Sequence, residues 1–393
     1  MTLANGHRHL AIPGPTNMPD EVLNALHQAS VDIYGGSSED ASRECMKNLK
    51  KVFRTRGSMY IYAANGHGAW EAALTNTLSK GDKVLVLESG LFPIVWGENA
   101  DNLGIETEVL AERPGRAVDL EAVTARLAAD TAHQFKAILM VQADTATGVV
   151  NDVRGVRAAL DETGHPAMLM VDTIASLGCM EFDMDGWGVD VTVAGAQKGL
   201  MTPPGLSFTA VSAKARRAHK TAGLVTNYWD WTFRDGKDHY MWYAGTPPVQ
   251  MVFALQKALE MLLDEGLENV IHRHAVLAGA TRAAVETWTS KGATGFAVSE
   301  PDERSNSVTC MLMPKGESSR VLEYCEHKLG VTIGRGIGPL DNRAIRIAHM
   351  GHVNAYNQLG TLGAIETAMA ALDIEHGPGG VQSAIEYIAN HVK

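Results

Sequence analysis

Cysteine is scarce: four stand in 393 residues (Cys45, Cys179, Cys310 and Cys325), far apart and with no C-x-x-C pair. That spacing supports neither a zinc site nor a disulfide framework, and it fits free thiols in a reducing cytoplasm. Positive charge is outweighed, with 34 Lys and Arg against 45 Asp and Glu, a net charge of −11. So acidic a chain lacks the basic surface that nucleic acid or an anionic membrane attracts. No apolar run approaches the roughly 20 residues of a membrane span. The start, MTLANGHRHLAIPGPTN, has no continuous apolar core of a secretory signal, and the end, NHVK, matches no targeting tripeptide. A cytoplasmic protein with small-molecule partners is expected, binding neither nucleic acid nor membrane.

What is present suits a globular protein. Hydrophobic residues make up 45% and charged residues 20%, enough for one large domain and a smaller one. Pro13, Pro15 and Pro19 make residues 1–20 an extended arm. Apolar runs of strand length then alternate with helical patterns. DKVLVLES (82–89), KAILMVQAD (136–144), AMLMVD (167–172) and DVTVAGA (190–196) read as strands buried on both faces. DLEAVTARLAA and DVRGVRAALDETG read as helices between strands, the second closed by Gly164. Strand–helix–strand alternation implies a mainly parallel sheet with helices on both faces. PPVQMVFALQKALEMLLDEG (247–266) and GLENVIHRHAVLAGATRAAVETW read as long helices. SNSVTCMLMP and NRAIRIAHMG follow as strands, with SSRVLEYCEHKLG a helix between the two. The expected organisation is an α/β large domain over 21–265 and a smaller C-terminal α+β domain over 266–393.

Several common motifs carry nothing. GRGIGPL spaces its glycines as G-x-G-x-G, but no buried strand feeds a helix there, so it is not a dinucleotide site. His272 and His274 in HRH lie in a helical pattern where near neighbours point apart, and no metal site is expected.

Four groups carry more. Lys198, in DVTVAGAQKGLMTPPG, ends an apolar strand among small residues. It is either a solvated charge or a desolvated amine placed where α/β sheets hold ligands, beyond the carboxyl ends of the strands. Ala194, Gly195, Ala196 and Gly199 leave room there for a flat ring. Asp172 ends AMLMVD at the same sheet edge, as a helix N-cap for DTIAS or as a functional carboxylate. An amine and a carboxylate so placed suit pyridoxal phosphate (PLP), which needs a lysine for its aldehyde and an anion at its ring nitrogen. The turn at Gly66 and Gly68 in AANGHGAWEAALTNTL runs into a helix whose first N–H groups can bind phosphate, or is simply a Gly-rich helix start. Arg346 in AIRIA shares a small apolar strand face with Ala344 and Ala348, and needs either a structural acid or a substrate carboxylate as partner.

Together with GAWEAALTNTLSKGD, TATGVVNDVRGVRAALDETGHPAMLMVDTIASL, GLENVIHRHA and IRIAHMGHVN, these stretches resemble the class V, fold-type I PLP-dependent aminotransferases. The similarity is greatest to the serine/alanine–glyoxylate aminotransferase group. The resemblance implies that Lys198 holds PLP and shuttles a proton, and that Asp172 keeps the ring nitrogen protonated. It implies that Gln197, Gly66 and His67 hold the phosphate, that Thr145 bonds near the ring hydroxyl and that Phe92 stacks on the ring. Tyr243 and Thr246, in WYAGTPP, fall where the family completes the phosphate site across a subunit interface. A homodimer or higher homo-oligomer with a shared site is therefore implied. Arg346 would bind the α-carboxylate of an amino acid and of a 2-oxo acid in turn. One stretch departs from the group: VDIYGGSSED stands where members usually carry a DHRSP-like run, so Tyr34 is expected to face the site and alter side-chain selectivity. Serine, alanine and aspartate all remain as donors, with glyoxylate or pyruvate as acceptor. The rival readings are a pyridoxamine–pyruvate type aminotransferase, a PLP-dependent lyase or desulfurase, and a non-catalytic protein that kept the fold.

Overall fold

A computed structural model describes residues 2–111, 113–292 and 294–392. Twelve strands are present among them: β1 (His9–Ala11), β2 (Ser58–Tyr62), β3 (Lys83–Leu87), β4 (Glu106–Leu110), β5 (Phe135–Val141), β6 (Met168–Asp172), β7 (Val191–Gly195), β8 (Ser207–Val211), β9 (Gly295–Phe296), β10 (Val308–Leu312), β11 (Val331–Arg335) and β12 (Ala344–Ala348). Seven form one sheet in the order β2-β8-β7-β6-β5-β3-β4. Every pairing in it is parallel except those of β8 with β2 and β7.

The continuous apolar runs have a direct physical basis. Along β3, β5 and β6, Leu85, Leu87, Ile138, Met140, Leu169 and Val171 enter one core. The alternating Val84, Val86, Ala137, Leu139, Met168 and Met170 enter another on the opposite face. Both faces are dry, so neither can carry the polar half of an alternating pattern. The crossover helices are punctuated locally. Asp119 accepts from the amides of Glu121 and Ala122 at the start of Leu120–Ala129, and Gly164 closes Val153–Thr163 at φ 61°.

The second sheet has the order β1-β11-β12-β10-β9. Against it pack the helices Leu267–Thr289, Ala355–Ala371 and Gly380–His391, with Trp288, Ile345, Ile347, Leu362 and Ile365 in the shared core. The N-terminal arm is more than an extended tail, because β1 pairs in parallel with β11, His9 opposite Val331. The helix expected over SSRVLEYCEHKLG runs Glu317–Tyr324 and then widens into a π turn, Cys325–Leu329, before Gly330. No helix of the described residues is long and apolar enough to cross a membrane.

Candidate active site

Parallel strands point their carboxyl ends at one edge of the large sheet, and the loops leaving that edge build the site. A cavity of about 140 Å³ opens there, lined by Gly66 and Trp70 after β2, Phe92 after β3, Thr145 after β5, Asp172 and Ile174 from β6, and Gln197 and Lys198 after β7.

Asp172 is fully enclosed, and burial pushes its carboxyl up to about 7. Two donors oppose that shift: the Trp70 indole N–H reaches Oδ2 at 2.6 Å and the Ile174 amide reaches Oδ1 at 2.6 Å. No helix follows Asp172, so its local bond is a turn contact, while the carboxylate also faces the cavity. Trp70 is itself locked, stacked on Trp96 at 5.8 Å with the His67 ring at 4.4 Å.

Lys198 lies in the same cavity, and burial lowers its amine to about 8, helped by the positive charge of Arg346 and opposed by Asp172. Nζ donates to the Pro13 carbonyl, and Thr16 clamps the lysine from behind: its N–H bonds the Gln197 carbonyl at 3.0 Å and its hydroxyl the Lys198 carbonyl at 2.9 Å. The arm thus closes one side of the cavity. The small residues around Lys198 do something other than clear space for a ring. Ala194 and Ala196 belong to the core, and a Cβ on Gly199 would sit 2.1 Å from the Leu177 carbonyl oxygen.

The helix Gly66–Thr75 begins at the cavity with Asn65 as its N-cap, the side chain accepting from Gly68 N at 3.4 Å. Among the described residues the Gly66 and His67 amides have no hydrogen-bond acceptor, as the first turn of a helix leaves them. A Cβ on Gly66 would lie 2.3 Å from Ile174 Cδ1, so glycine permits the close approach to the β6 loop. Gln197 Oε1 is buried without a partner, and burial lowers the pKa of His67, favouring a neutral ring. Unpaired amides at a positive helix end, an orphaned amide side chain and a buried carboxylate across the cavity fit a ring that carries a phosphate and a basic nitrogen.

Phe92 and Thr145 line the cavity, and a residue not singled out from the sequence holds them. Asp144, wholly buried, accepts from Phe92 N at 2.9 Å. It also accepts from Ala146 N at 2.8 Å and Thr147 N at 3.0 Å. Arg346 sits beside the cavity on β12. Its Nε donates to the Arg335 carbonyl at 2.6 Å and its Nη1 to the Thr145 carbonyl at 2.9 Å. Among the described residues it has no carboxylate partner, Nη2 is uncommitted, and burial lowers its pKa.

Three expected site residues lie elsewhere in this chain. Tyr34 is 73% exposed, edge-on to Tyr240 at 6.4 Å. Tyr243 is buried with its hydroxyl 2.8 Å from that of Ser42, and Thr246 is exposed. Trp70, Ile174 and Asp144 went unrecognised because contacts across the sheet edge leave no spacing signal along the chain. Only Asp144 carries a local hint, as the polar end of an apolar strand run.

A buried amine and a buried carboxylate at the carboxyl edge of this sheet, with a second smaller sheet alongside, are the arrangement of a fold-type I enzyme. The chain belongs to the class V aminotransferases, whose family model matches residues 9–340. It is 37% identical over 391 residues to a serine–glyoxylate aminotransferase of Methylorubrum extorquens, covering 98% of this chain and 96% of that one. Identity is 35% over 381 residues to an L-aspartate–glyoxylate aminotransferase of Paracoccus denitrificans, covering 96% and 95%. The crystal structure of a ureidoglycine–glyoxylate aminotransferase from Bacillus subtilis matches with a TM-score of 0.89 at 23% identity, covering 99% of this chain and 100% of that one. A pyridoxamine–pyruvate aminotransferase from Mesorhizobium loti matches with a TM-score of 0.89 at 24% identity and the same coverage.

Proposed function

We propose that this protein is a PLP-dependent aminotransferase that takes the amino group of a small L-amino acid (serine, alanine or aspartate) and delivers it to glyoxylate. The observation that carries the reading is the meeting of Lys198, Asp172 and the free Gly66 and His67 amides in one cavity. The names of the relatives in both sequence comparisons, serine–glyoxylate and L-aspartate–glyoxylate aminotransferase, support the acceptor.

Bound there, PLP supplies an electron sink for charge developing at the substrate α-carbon. The residues of this chain do the rest. The Gly66 and His67 amides and Gln197 would hold the phosphate, and Phe92 would wall the ring. Asp172 would keep a proton on the ring nitrogen, a task for a carboxylate sheltered from water beside it. Lys198 Nζ would anchor the cofactor and, when not so engaged, is the base that would take the substrate α-proton and return it. An amine lowered to about 8 is uncharged often enough near neutral pH to act as that base. Arg346 grips the α-carboxylate through its uncommitted Nη2. The arm, with Pro13 against the lysine, excludes water.

A homodimer is part of the proposal. Tyr34, Tyr228 and Phe233 are exposed aromatic residues near the 226–246 segment, and Thr246 is exposed to meet a second copy. The free thiols fit a cytoplasmic enzyme. All four cysteines are buried, which disfavours a desulfurase that needs a mobile thiol.

The test is a set of half-reactions. The purified protein should be yellow, and its visible band should change on adding serine, alanine or aspartate and return with glyoxylate. Lys198→Ala should abolish turnover and the borohydride-reducible adduct. Substantial residual turnover in that variant, or a return by pyruvate alone, would overturn the assignment or its acceptor.

A further inference from the structure

We infer that Asp144 is a positioning residue that ties the Phe92 loop, the Thr145 turn and the Arg346 guanidinium into one unit behind the cavity. The inference rests on the PLP reading above.

The geometry is specific. Asp144 is fully buried, and it acts on the Arg346 cation through its charge and not by a salt bridge. A carboxylate in such a place is costly, and each of its oxygens is used. Oδ2 takes the Phe92 amide, which heads the helix Leu91–Asn102 after β3. Oδ1 takes the amides of Ala146 and Thr147, which shape the turn after β5. One side chain therefore joins the loops of two adjacent parallel strands. Gly90, at φ 154°, lets the carboxylate in: a Cβ there would lie 2.5 Å from the Asp144 carboxyl carbon. The turn then hands the constraint on, because the Thr145 carbonyl accepts from Arg346 Nη1. The ring wall, the Thr145 wall and the carboxylate grip thus share one anchor. Its charge also reaches the catalytic groups, adding to the forces that hold a proton on Asp172.

A neutral turn residue would not do the same. An asparagine offers one carbonyl oxygen, which can keep the Ala146 and Thr147 amides, but its NH₂ cannot accept from Phe92 N. Asp144→Asn therefore releases the Phe92 wall while sparing the turn. Thr147→Val is the opposite control. It removes the hydroxyl that contacts Asp144 Oδ1 at 3.3 Å, the Ser89 carbonyl at 3.4 Å and the Val149 amide at 3.2 Å, and leaves the Phe92 bond intact.

The experiment uses apoenzyme titrated with PLP, with the affinity, the visible circular dichroism of the bound cofactor and the apoenzyme Tm read for wild type and variants. Asp144→Asn should weaken PLP about tenfold or more and shrink the dichroic band, as misplaced positioning groups do. Thr147→Val should lower Tm without either change. Gly90→Ala, which crowds the same carboxylate from the other side, should reproduce the Asp144→Asn defect if the latter fails to fold. A smaller loss of affinity in both Asp144→Asn and Gly90→Ala overturns the inference, as does a Thr147→Val protein with the same cofactor defect. A wild-type protein that binds no PLP overturns the functional reading itself, before any variant is made.

Discussion

Burial moves the two central side chains toward neutrality from opposite sides: Lys198 is lowered to about 8 and Asp172 raised to about 7, because a low-dielectric site disfavours either charge. The Trp70 indole is the main side-chain donor restraining Asp172. Trp70→Phe should destabilise the apoenzyme by about 1.5–3 kcal/mol more at pH 8, where Asp172 is ionised, than at pH 5, where it is not. Urea unfolding at both pH values measures this, and an equal loss at both would refute the bond's role. Arg346 has its own consequence. Arg346→Ala should weaken apparent affinity for both amino acid and 2-oxo acid by about 2–4 kcal/mol. Steady-state kinetics with each substrate check it; an unchanged affinity for both removes Arg346 from the carboxylate site.

The elements that carry these residues were readable in part. β3, β5, β6 and β7 follow the apolar runs, since strands dry on both faces need no alternation. Asp119 and Gly164 mark helix ends with chemistry that acts within a few residues. The roles of the glycines were not readable, because each depends on what approaches from elsewhere. Gly199 admits the Leu177 carbonyl, whereas Gly66 admits Ile174 at the cradle. Gly66→Ala should drive Ile174 into the cavity and weaken PLP by about tenfold while leaving the apoenzyme Tm nearly unchanged. Ile174→Val in the same protein should recover part of the loss. A Gly66→Ala protein of undiminished affinity would show that the cradle does not need this approach.

Across the molecule, the packing around the second sheet depends on two uncharged histidines, His274 and His349. His274 Nε2 accepts from Gly351 N at 3.0 Å, which requires the neutral ring, and burial lowers its pKa to about 4. His349, bonded to Thr309 and to the Asn306 carbonyl, is lowered to about 3. A histidine lowered on folding stabilises fully above its unfolded pKa, near 6.5, and loses that contribution as pH falls toward the folded value. Asp172 acts the other way: a raised carboxyl stabilises below its unfolded pKa, near 3.8, and that contribution is lost as pH rises to about 7. Five lowered histidines (His9, His67, His274, His349 and His352) outweigh two raised carboxyls (Asp144 and Asp172), so apoenzyme stability should fall as pH drops from 6.5 to 5. Denaturant unfolding across that range checks it, and a flat profile would place the charged forms in the folded state.

Periodicity, caps and the order of motifs were enough for the α/β class and the family, because these are properties of neighbours along the chain. They also put Lys198 and Asp172 at strand ends. Which groups then meet was decided by the fold. The arm returns as β1 to place Pro13 on the lysine, Trp70 reaches across from the β2 side to Asp172, and Asp144 joins two loops. Tyr243, expected across a subunit interface, has its hydroxyl bonded to that of Ser42 within this chain. Each contact spans tens to hundreds of residues, so its energy is set by how sheet edges and loops pack in three dimensions and leaves no period in the chain.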